Sequence, residues 1–404
     1  MSRKTSVVLV GAGGANVRLA QELDKKLDPT KHTLTVISQA DYYRHLPATL
    51  RLLVTDEGIR EQDIALSYDS LFGKNLKNGK GRVGVLRIAE IVNVEEKERG
   101  EGGWVVLDDG SKIEWDILVV GTGSNWNGLL RWPTKRVQLS EHLNVWRDRF
   151  ASAKSVLIVG AGSVGSELAG EIRDYYPDTQ ITLVHRDSLT LNKAYPAKFR
   201  QSIGDDLTSR GIQFVTDDIQ GLSSSVMEGS EGVVPRREIV SSKGKALPAE
   251  LIVFTGGRTG VNTDFLSSAP TISKSLSANG HLKVRGSLQL DSNPRVFAAG
   301  DVTDIAEQHT LMKAGLHASL IAANIVSLLK LPVLTSNTAG EASAGLKQYT
   351  PSSEMLVVTN GKRSGTGFLG SICGIPIVVG KWLVVSAKSR DLFIPKARAM
   401  LNRA

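Results

Sequence analysis

The chain carries a single cysteine, Cys373, in 404 residues. One thiol excludes an intrachain disulfide framework, a Cys-x-x-Cys redox pair and a cysteine-built metal cluster. Histidine is sparse as well, seven in all, and none falls in H-E-x-x-H spacing, so no metal site is expected. Long apolar runs are missing. The stretch Ile372–Ala387 is interrupted by Pro376, Gly380 and Lys381 and is too short to cross a bilayer. It reads as a buried strand pair or as a surface that dips into a membrane interface. Val7–Val10 is too short for the apolar core of a signal peptide, so secretion is not expected. Ser2 stands where N-myristoylation needs glycine, which excludes that anchor. The net charge of +8 favours anionic partners. No basic stripe with interleaved aromatics accompanies it, so nucleic acid is not an expected partner.

What the chain does have is glycine placed at the ends of apolar strands. Val156–Val159 runs into Gly160-Ala161-Gly162-Ser163-Val164-Gly165 and then a helical pattern, and a second strand, Gln180–Val184, follows about twenty residues later. In such a turn Gly160 permits the tight bend, Gly162 lets a pyrophosphate approach the backbone, and Gly165 lets helix and strand pack closely. The helix start, Ser163 and Val164, offers unpaired N–H groups to the phosphates. The second strand ends in His185-Arg186 where an NAD-selective site usually carries a carboxylate, so the sequence leans towards NADPH or dual use.

A related turn opens the chain. Ser6–Val10 leads into Gly11-Ala12-Gly13-Gly14-Ala15-Asn16, with Asn16 in place of the third glycine. Ser38, at the end of the next strand, replaces the usual ribose-binding carboxylate. Two further strands end in small residues, Gly121-Thr122-Gly123 and Ala299-Gly300-Asp301, and Ala249–Gly257 ends in Thr255-Gly256-Gly257. Chains do this where they pass close to a flat or phosphorylated ligand. Between these motifs, Val83–Ile88, Ile91–Val94, Trp104–Leu107 and Lys112–Glu114 alternate like a small antiparallel sheet around Asp108-Asp109-Gly110. Residues 223–247 read as hairpins or loop, Leu331–Gln348 as a linker, and Gly361–Gly370 as a glycine-rich turn.

Four motifs in this order resemble the flavoprotein architecture with two dinucleotide-binding domains. The expected fold is α/β: two Rossmann-like domains of the glutathione-reductase type plus a small α+β C-terminal domain. The expected division is 1–150 and 276–335 for FAD, 151–275 for NAD(P)H, and 336–404 for the C-terminal domain. Within that superfamily the chain most resembles the apoptosis-inducing-factor-like mitochondrion-associated (ferroptosis-suppressor-like) group. The residues that carry the likeness are His45…Ala48…Leu50-Arg51, Gly165-Ser166-Glu167-Leu168-Ala169, Ala314-Gly315-Leu316-His317-Ala318, Ala323-Asn324-Ile325-Val326 and Lys388-Ser389-Arg390-Asp391-Leu392-Phe393.

The resemblance implies an FAD-dependent oxidoreductase passing hydride from NAD(P)H through flavin to a quinone or other small-molecule acceptor. Two alternatives stand beside it: a flavin-dependent monooxygenase or oxidase of a biosynthetic pathway, and an NAD(P)H-binding redox-signalling protein with vestigial catalysis. FAD is expected on Gly11, Gly13, Gly14, Ala15, Ser38, Arg51, Gly121, Thr122, Gly123, Gly300 and Asp301, with Asp301 on the ribityl chain. NAD(P)H is expected on Gly160, Gly162, Ser163, Val164, Gly165, His185, Arg186 and Gly256. Glu167 is expected to orient the nicotinamide, and Lys388 and His317 to face the flavin or quinone. The expected setting is cytoplasmic, with mitochondrial or lipid-droplet surfaces as attachment sites, peripheral membrane contact through the C-terminal domain, and a monomer or homodimer.

Overall fold

The computed structural model describes residues 3–72, 83–98, 101–217, 237–256, 259–330 and 345–401. Its first sheet has five parallel strands in the order Val296–Ala298, Ile117–Val120, Thr5–Val10, His32–Ser38, Gly84–Ile88. In the central three the stretches Val7–Val10, Val36–Ile37 and Ile117–Val120 are apolar and buried because both faces are covered there. One face carries Gly14–Lys26, packed against the long helix Leu311–Leu328. That long helix is apolar over 18 residues, but it is a core helix: Ala318, Ile321, Ala322 and Ile325 are fully buried.

The strand Val83–Ile88 was expected in an antiparallel sheet. The structure puts Gly84–Ile88 at the edge of the parallel sheet, paired with His32–Ser38. An edge strand with one wet face alternates as an antiparallel one does, and Val85 is indeed exposed. The antiparallel sheet is therefore three-stranded: Ile91–Glu96, Gly103–Leu107 and Lys112–Trp115.

A second parallel sheet runs Gln213–Thr216, Gln180–His185, Ser155–Val159, Leu251–Phe254. It is flanked by Ser163–Tyr175, Ala197–Ser209 and Leu139–Ser152, whose buried faces share one apolar core. Within 223–247 the described part forms the hairpin Arg237–Val240 with Ala246–Ala249; residues 223–236 lie outside the described residues. So does Gly257 of the Thr255-Gly256-Gly257 strand end, and so does 331–344 of the expected linker. The linker's last residues are not loose: Asn324 clamps Lys347 through both amide atoms, at 2.9 and 3.0 Å, and Leu346 is buried.

The C-terminal part is a meander of Leu356–Asn360, Ser364–Ile372 and Ile375–Val379, followed by a helical turn, Lys381–Val384, and the helix Ile394–Leu401. Gly361–Gly370 is thus mostly strand, not turn. Its glycines answer close packing: a Cβ at Gly365 would lie 2.6 Å from the Val358 carbonyl oxygen, and one at Gly367 2.7 Å from Val379. The sheet packs on the helices Ser163–Tyr175 and Ala197–Ser209.

Candidate functional site

At the turn after Ser155–Val159, each glycine has a distinct physical reason. Gly160 has φ +112°, open to glycine at little cost. A Cβ on Gly165 would collide with the Gly160 carbonyl oxygen, whereas Gly162 and Gly256 face open space. Gly162 caps the helix without a side-chain bond, so the first N–H groups at Ser163 and Val164 remain for an anion. Thr255 fastens the turn by donating its hydroxyl to Gly160 O at 2.8 Å. This cradle fits a nucleotide pyrophosphate.

His185 does not belong to the open part of that cradle. Its Nδ1 accepts the Ala161 amide proton at 3.3 Å, and Nε2 lies 3.3 Å from Leu191 O, which makes Nε2 the protonated nitrogen. Burial holds the imidazole below the ordinary histidine range. A neutral ring with both nitrogens engaged braces the turn and is not a phosphate ligand, which corrects the expectation for this residue. Arg186 is exposed, and Asp187 beside it is paired with Arg200 at 2.8 Å.

The three remaining strand ends lie side by side. Gly11 N–H donates to Ile37 O, Gly121 N–H to Val10 O and Ala299 N–H to Val120 O. Gly11, Gly123 and Gly300 have φ of +88°, +75° and +71°. Gly13 and Gly123 face open space, while the Gly14 Cβ position is covered by the Leu311 side chain, and Ala15 is buried next to Gly300. Asp301 accepts a hydrogen bond from Ser124 at 2.7 Å. Thr122 donates its hydroxyl to Asn262 O.

Asn16 leaves this turn intact. Its Nδ2 donates to Val10 O at 2.8 Å and to Gly11 O at 2.9 Å, and a Cβ on Gly121 would sit 2.7 Å from it. The volume that a third glycine would leave empty is filled by the Asn16 amide, and Gly121 supplies the room. Ser38 donates to Ala40 O at 2.7 Å. Close by, Tyr68 donates to Ala12 O at 2.9 Å, a contact that no local sequence signal marks. Open space over Gly13 and Gly123, with Asp301 at the third strand end, fits a second dinucleotide.

Of the expected catalytic residues, two meet and one does not. Glu167 Oε1 accepts from Lys388 Nζ at 2.6 Å and from Thr359 N–H at 3.0 Å, and Lys388 also donates to Val357 O at 2.8 Å. The pair is mostly buried. His317 lies elsewhere, fully buried beneath the Gly300 turn, and it cannot touch a substrate. Arg51 is not open to a cofactor either. Its guanidinium grips Glu171 at 2.9 Å through two nitrogens and donates to Ser389 O at 2.8 Å. Glu171 is one turn beyond Glu167, a spacing visible in the sequence, but its partner is 120 residues away. His45 Nε2 meets Leu392 O at 2.7 Å and steadies a turn in which Leu392 and Phe393 have φ of +51° and +60°. Non-glycine residues held there mark backbone strain of the kind that gathers at functional sites.

Two nucleotide cradles, that of Gly160–Gly165 tied to the C-terminal segment by the Glu167–Lys388 contact, raise the question of kinship. Residues 5–318 match the pyridine nucleotide-disulphide oxidoreductase family. The chain belongs to that family. An FAD-dependent oxidoreductase of Flammulina velutipes is 36% identical over 348 residues, which cover 86% of this chain and 98% of the relative. Apoptosis-inducing factor homolog B of Dictyostelium discoideum is 28% identical, covering 99% and 98%. Ferroptosis suppressor protein 1 of Mus musculus is 27% identical, covering 96% and 93%. Among solved structures, the sulfide:quinone oxidoreductase of Aquifex aeolicus has the same fold, with a TM-score of 0.70 at 15% identity over 98% of this chain and 92% of that one. The chain is thus an FAD-dependent NAD(P)H oxidoreductase of the apoptosis-inducing-factor-like kind. Unlike the disulphide reductases that name the family, it has one cysteine, Cys373, exposed at a hairpin turn.

Proposed function

We propose that this oxidoreductase delivers the electrons of NAD(P)H to a quinone-type acceptor. The observation that carries the reading is the Glu167–Lys388 ion pair, which joins the NAD(P)H-type helix to the C-terminal segment in a chain whose single cysteine cannot form the dithiol that disulphide reduction needs. Bound FAD supplies a carrier that takes hydride from a nicotinamide and passes electrons to a second substrate.

The chain's own part is placement and charge. The Gly160–Gly165 turn and the helix start bind the pyrophosphate of NAD(P)H. Glu167, oriented by Lys388 and the Thr359 amide, accepts a hydrogen bond from the carboxamide of the nicotinamide ring. Lys388 holds a positive charge beside the site, where reduction adds negative charge. Asp301, held by Ser124, would accept from the sugar-alcohol hydroxyls of bound FAD. Arg186, the exposed cation at the end of Gln180–His185, favours the 2′-phosphate of NADPH.

Leu369, Ile372, Ile375, Trp382 and Leu383 are all exposed on the C-terminal part, beside the cation Lys381. They support a peripheral contact with a membrane or lipid surface in which a lipophilic acceptor dissolves. This fits a cytoplasmic protein that visits mitochondrial or lipid-droplet surfaces.

The test is an absorbance titration of the FAD-loaded protein under argon. NADPH should bleach the flavin, and a short-chain ubiquinone should restore its colour at a catalytic rate. Oxygen incorporation into an organic substrate would replace this reading with a monooxygenase. Protein that stays colourless after FAD addition would point instead to signalling without catalysis.

A further inference from the structure

We propose that His317 is the positioning residue of the flavin site: as a neutral imidazole it accepts the Gly300 amide proton and so fixes the turn that presents Asp301. The inference rests on the reading that this turn holds FAD.

Gly300 N–H points at His317 Nδ1 at 3.1 Å, inside the protein. An amide can only donate, so Nδ1 carries no proton and the ring's one hydrogen is on Nε2. Nε2 lies 3.1 Å from Glu307 Oε1. The other carboxylate oxygen accepts from Tyr349 Oη at 2.8 Å and faces Lys313 Nζ at 3.3 Å. Lys313 also meets Glu354 at 2.7 Å, and Glu354 accepts from the Gln308 amide at 3.1 Å. The Tyr349 ring stands edge-on to the imidazole, centroids 4.5 Å apart. Glu307, Lys313 and His317 have side chains about as buried as any in the protein, each 1% exposed. Within this network His317 Nε2 and Glu307 Oε1 face each other as an ion-pair contact outside hydrogen-bond geometry, so the hydrogen bond that holds the ring is the one from Gly300. The network's outlet towards the cofactor cleft is the Gly300 amide. The ring's tautomer is therefore set by the Gly300 amide, with Nε2 turned to Glu307 and the Tyr349 ring edge-on beside it.

Protonation would give the ring an N–H at both nitrogens. Nδ1 could then no longer accept from Gly300, and two donors would face each other inside the protein. Burial opposes that state and holds the imidazole below the ordinary histidine range, while Glu307 pulls the other way. The charged and titratable groups facing the ring are Glu307 and His309 from the preceding loop, Lys313 from its own helix, and Tyr349 and Glu354 from the segment beyond the helix. From the helix Gly14–Lys26, Arg18 and Glu22 face Gly315 and Ser319 and leave the imidazole alone. With the folded value lowered, the turn is intact at neutral pH and loosens as pH falls through that value, below about 6.5.

The experiment measures FAD release from the full-length holoprotein, as the rise in flavin fluorescence, from about pH 8 to about pH 5. The wild type should release FAD on the order of tenfold faster at the acid end, the equivalent of one lost buried hydrogen bond. His317→Asn, whose side-chain oxygen takes the place of Nδ1 and does not titrate, should hold FAD nearly as well at pH 8 and show a flat profile. His317→Leu should release FAD quickly at every pH; if it fails to fold, the asparagine variant still decides. Parallel profiles for the wild type and His317→Asn overturn the proposal. Asp301→Ala separates the two layers: unchanged release in that variant would remove FAD from this turn, whereas faster release combined with parallel His317 profiles would remove only the role of His317.

Discussion

Replacing Arg51 by methionine keeps the aliphatic stem and deletes four hydrogen-bond donations at once. Two go to Glu171, at 2.9 Å each, and two to the carbonyls of Ser389 and Arg390, at 2.8 and 3.3 Å. The Arg51 and Glu171 side chains are 4% and 2% exposed, so water cannot take over as a partner. Breaking a buried pair from one side leaves an uncompensated charge and costs about 3–5 kcal/mol. Burial already pushes the Glu171 carboxyl upward, with Arg51 opposing it. Without the guanidinium, that carboxyl rises further and binds a proton in the folded state that it would release when unfolded. A folded value above the unfolded one gives stability at low pH that is lost as pH rises. The deficit of Arg51→Met against wild type should therefore be largest near about pH 8 and shrink towards about pH 5. Urea denaturation followed by circular dichroism measures it. Adding Glu171→Leu should restore most of the loss, since an apolar pair of similar volume has no charge to strand. The reasoning is refuted by a deficit under about 1 kcal/mol at the higher pH, the range of an exposed ion pair. It is equally refuted by a double variant no better than the single one.

Glu167→Gln should slow flavin reduction by NAD(P)H about 10–100-fold in stopped-flow absorbance, the weight of one charge-assisted hydrogen bond, while leaving FAD content unchanged. Lys388→Met should do much the same, and the two together should be far from additive, because they are one contact. Arg186→Ala should raise KM for NADPH about tenfold and leave that for NADH alone, read from initial rates with either coenzyme. Gly121→Ala should destabilise the protein and weaken FAD retention, since its Cβ enters the space of the Asn16 amide; the pair Gly121→Ala with Asn16→Gly should recover both in thermal denaturation. Replacing Trp382 and Ile375 by serine should abolish co-sedimentation with phospholipid vesicles and leave reduction of a water-soluble quinone intact, if the exposed apolar face is the membrane contact.

The sequence made the strand ends legible because their requirements are local. A φ of +112° at Gly160, or a carbonyl pressed against the Gly165 Cα, can be met by few residue types, so the glycine spacing shows through. The same letters mislead where glycine answers a distant neighbour. Gly365 and Gly367 read as a turn, yet they are strand residues thinned to admit Val358, Val379 and Val384. Side-chain roles were least legible. His185, Arg51 and His317 look alike as polar residues near a cofactor motif, and only the fold reveals that their partners are Ala161, Glu171 and Gly300. Each is turned inward, supporting a surface that other residues present. Glu167 and Lys388 are 221 residues apart in the chain, and nothing in the sequence states that they touch.

Glu167 and Glu171 stand one turn apart on the helix Ser163–Tyr175, and both reach the segment 388–390, one directly and the other through Arg51. The tail is thereby sewn to the coenzyme-carrying lobe at two stitches. A swing of that lobe to admit or discharge a nicotinamide must carry residues 388–390 along or tear two inward-facing ionic ties, so opening and closing in this protein should be a joint movement of lobe and tail.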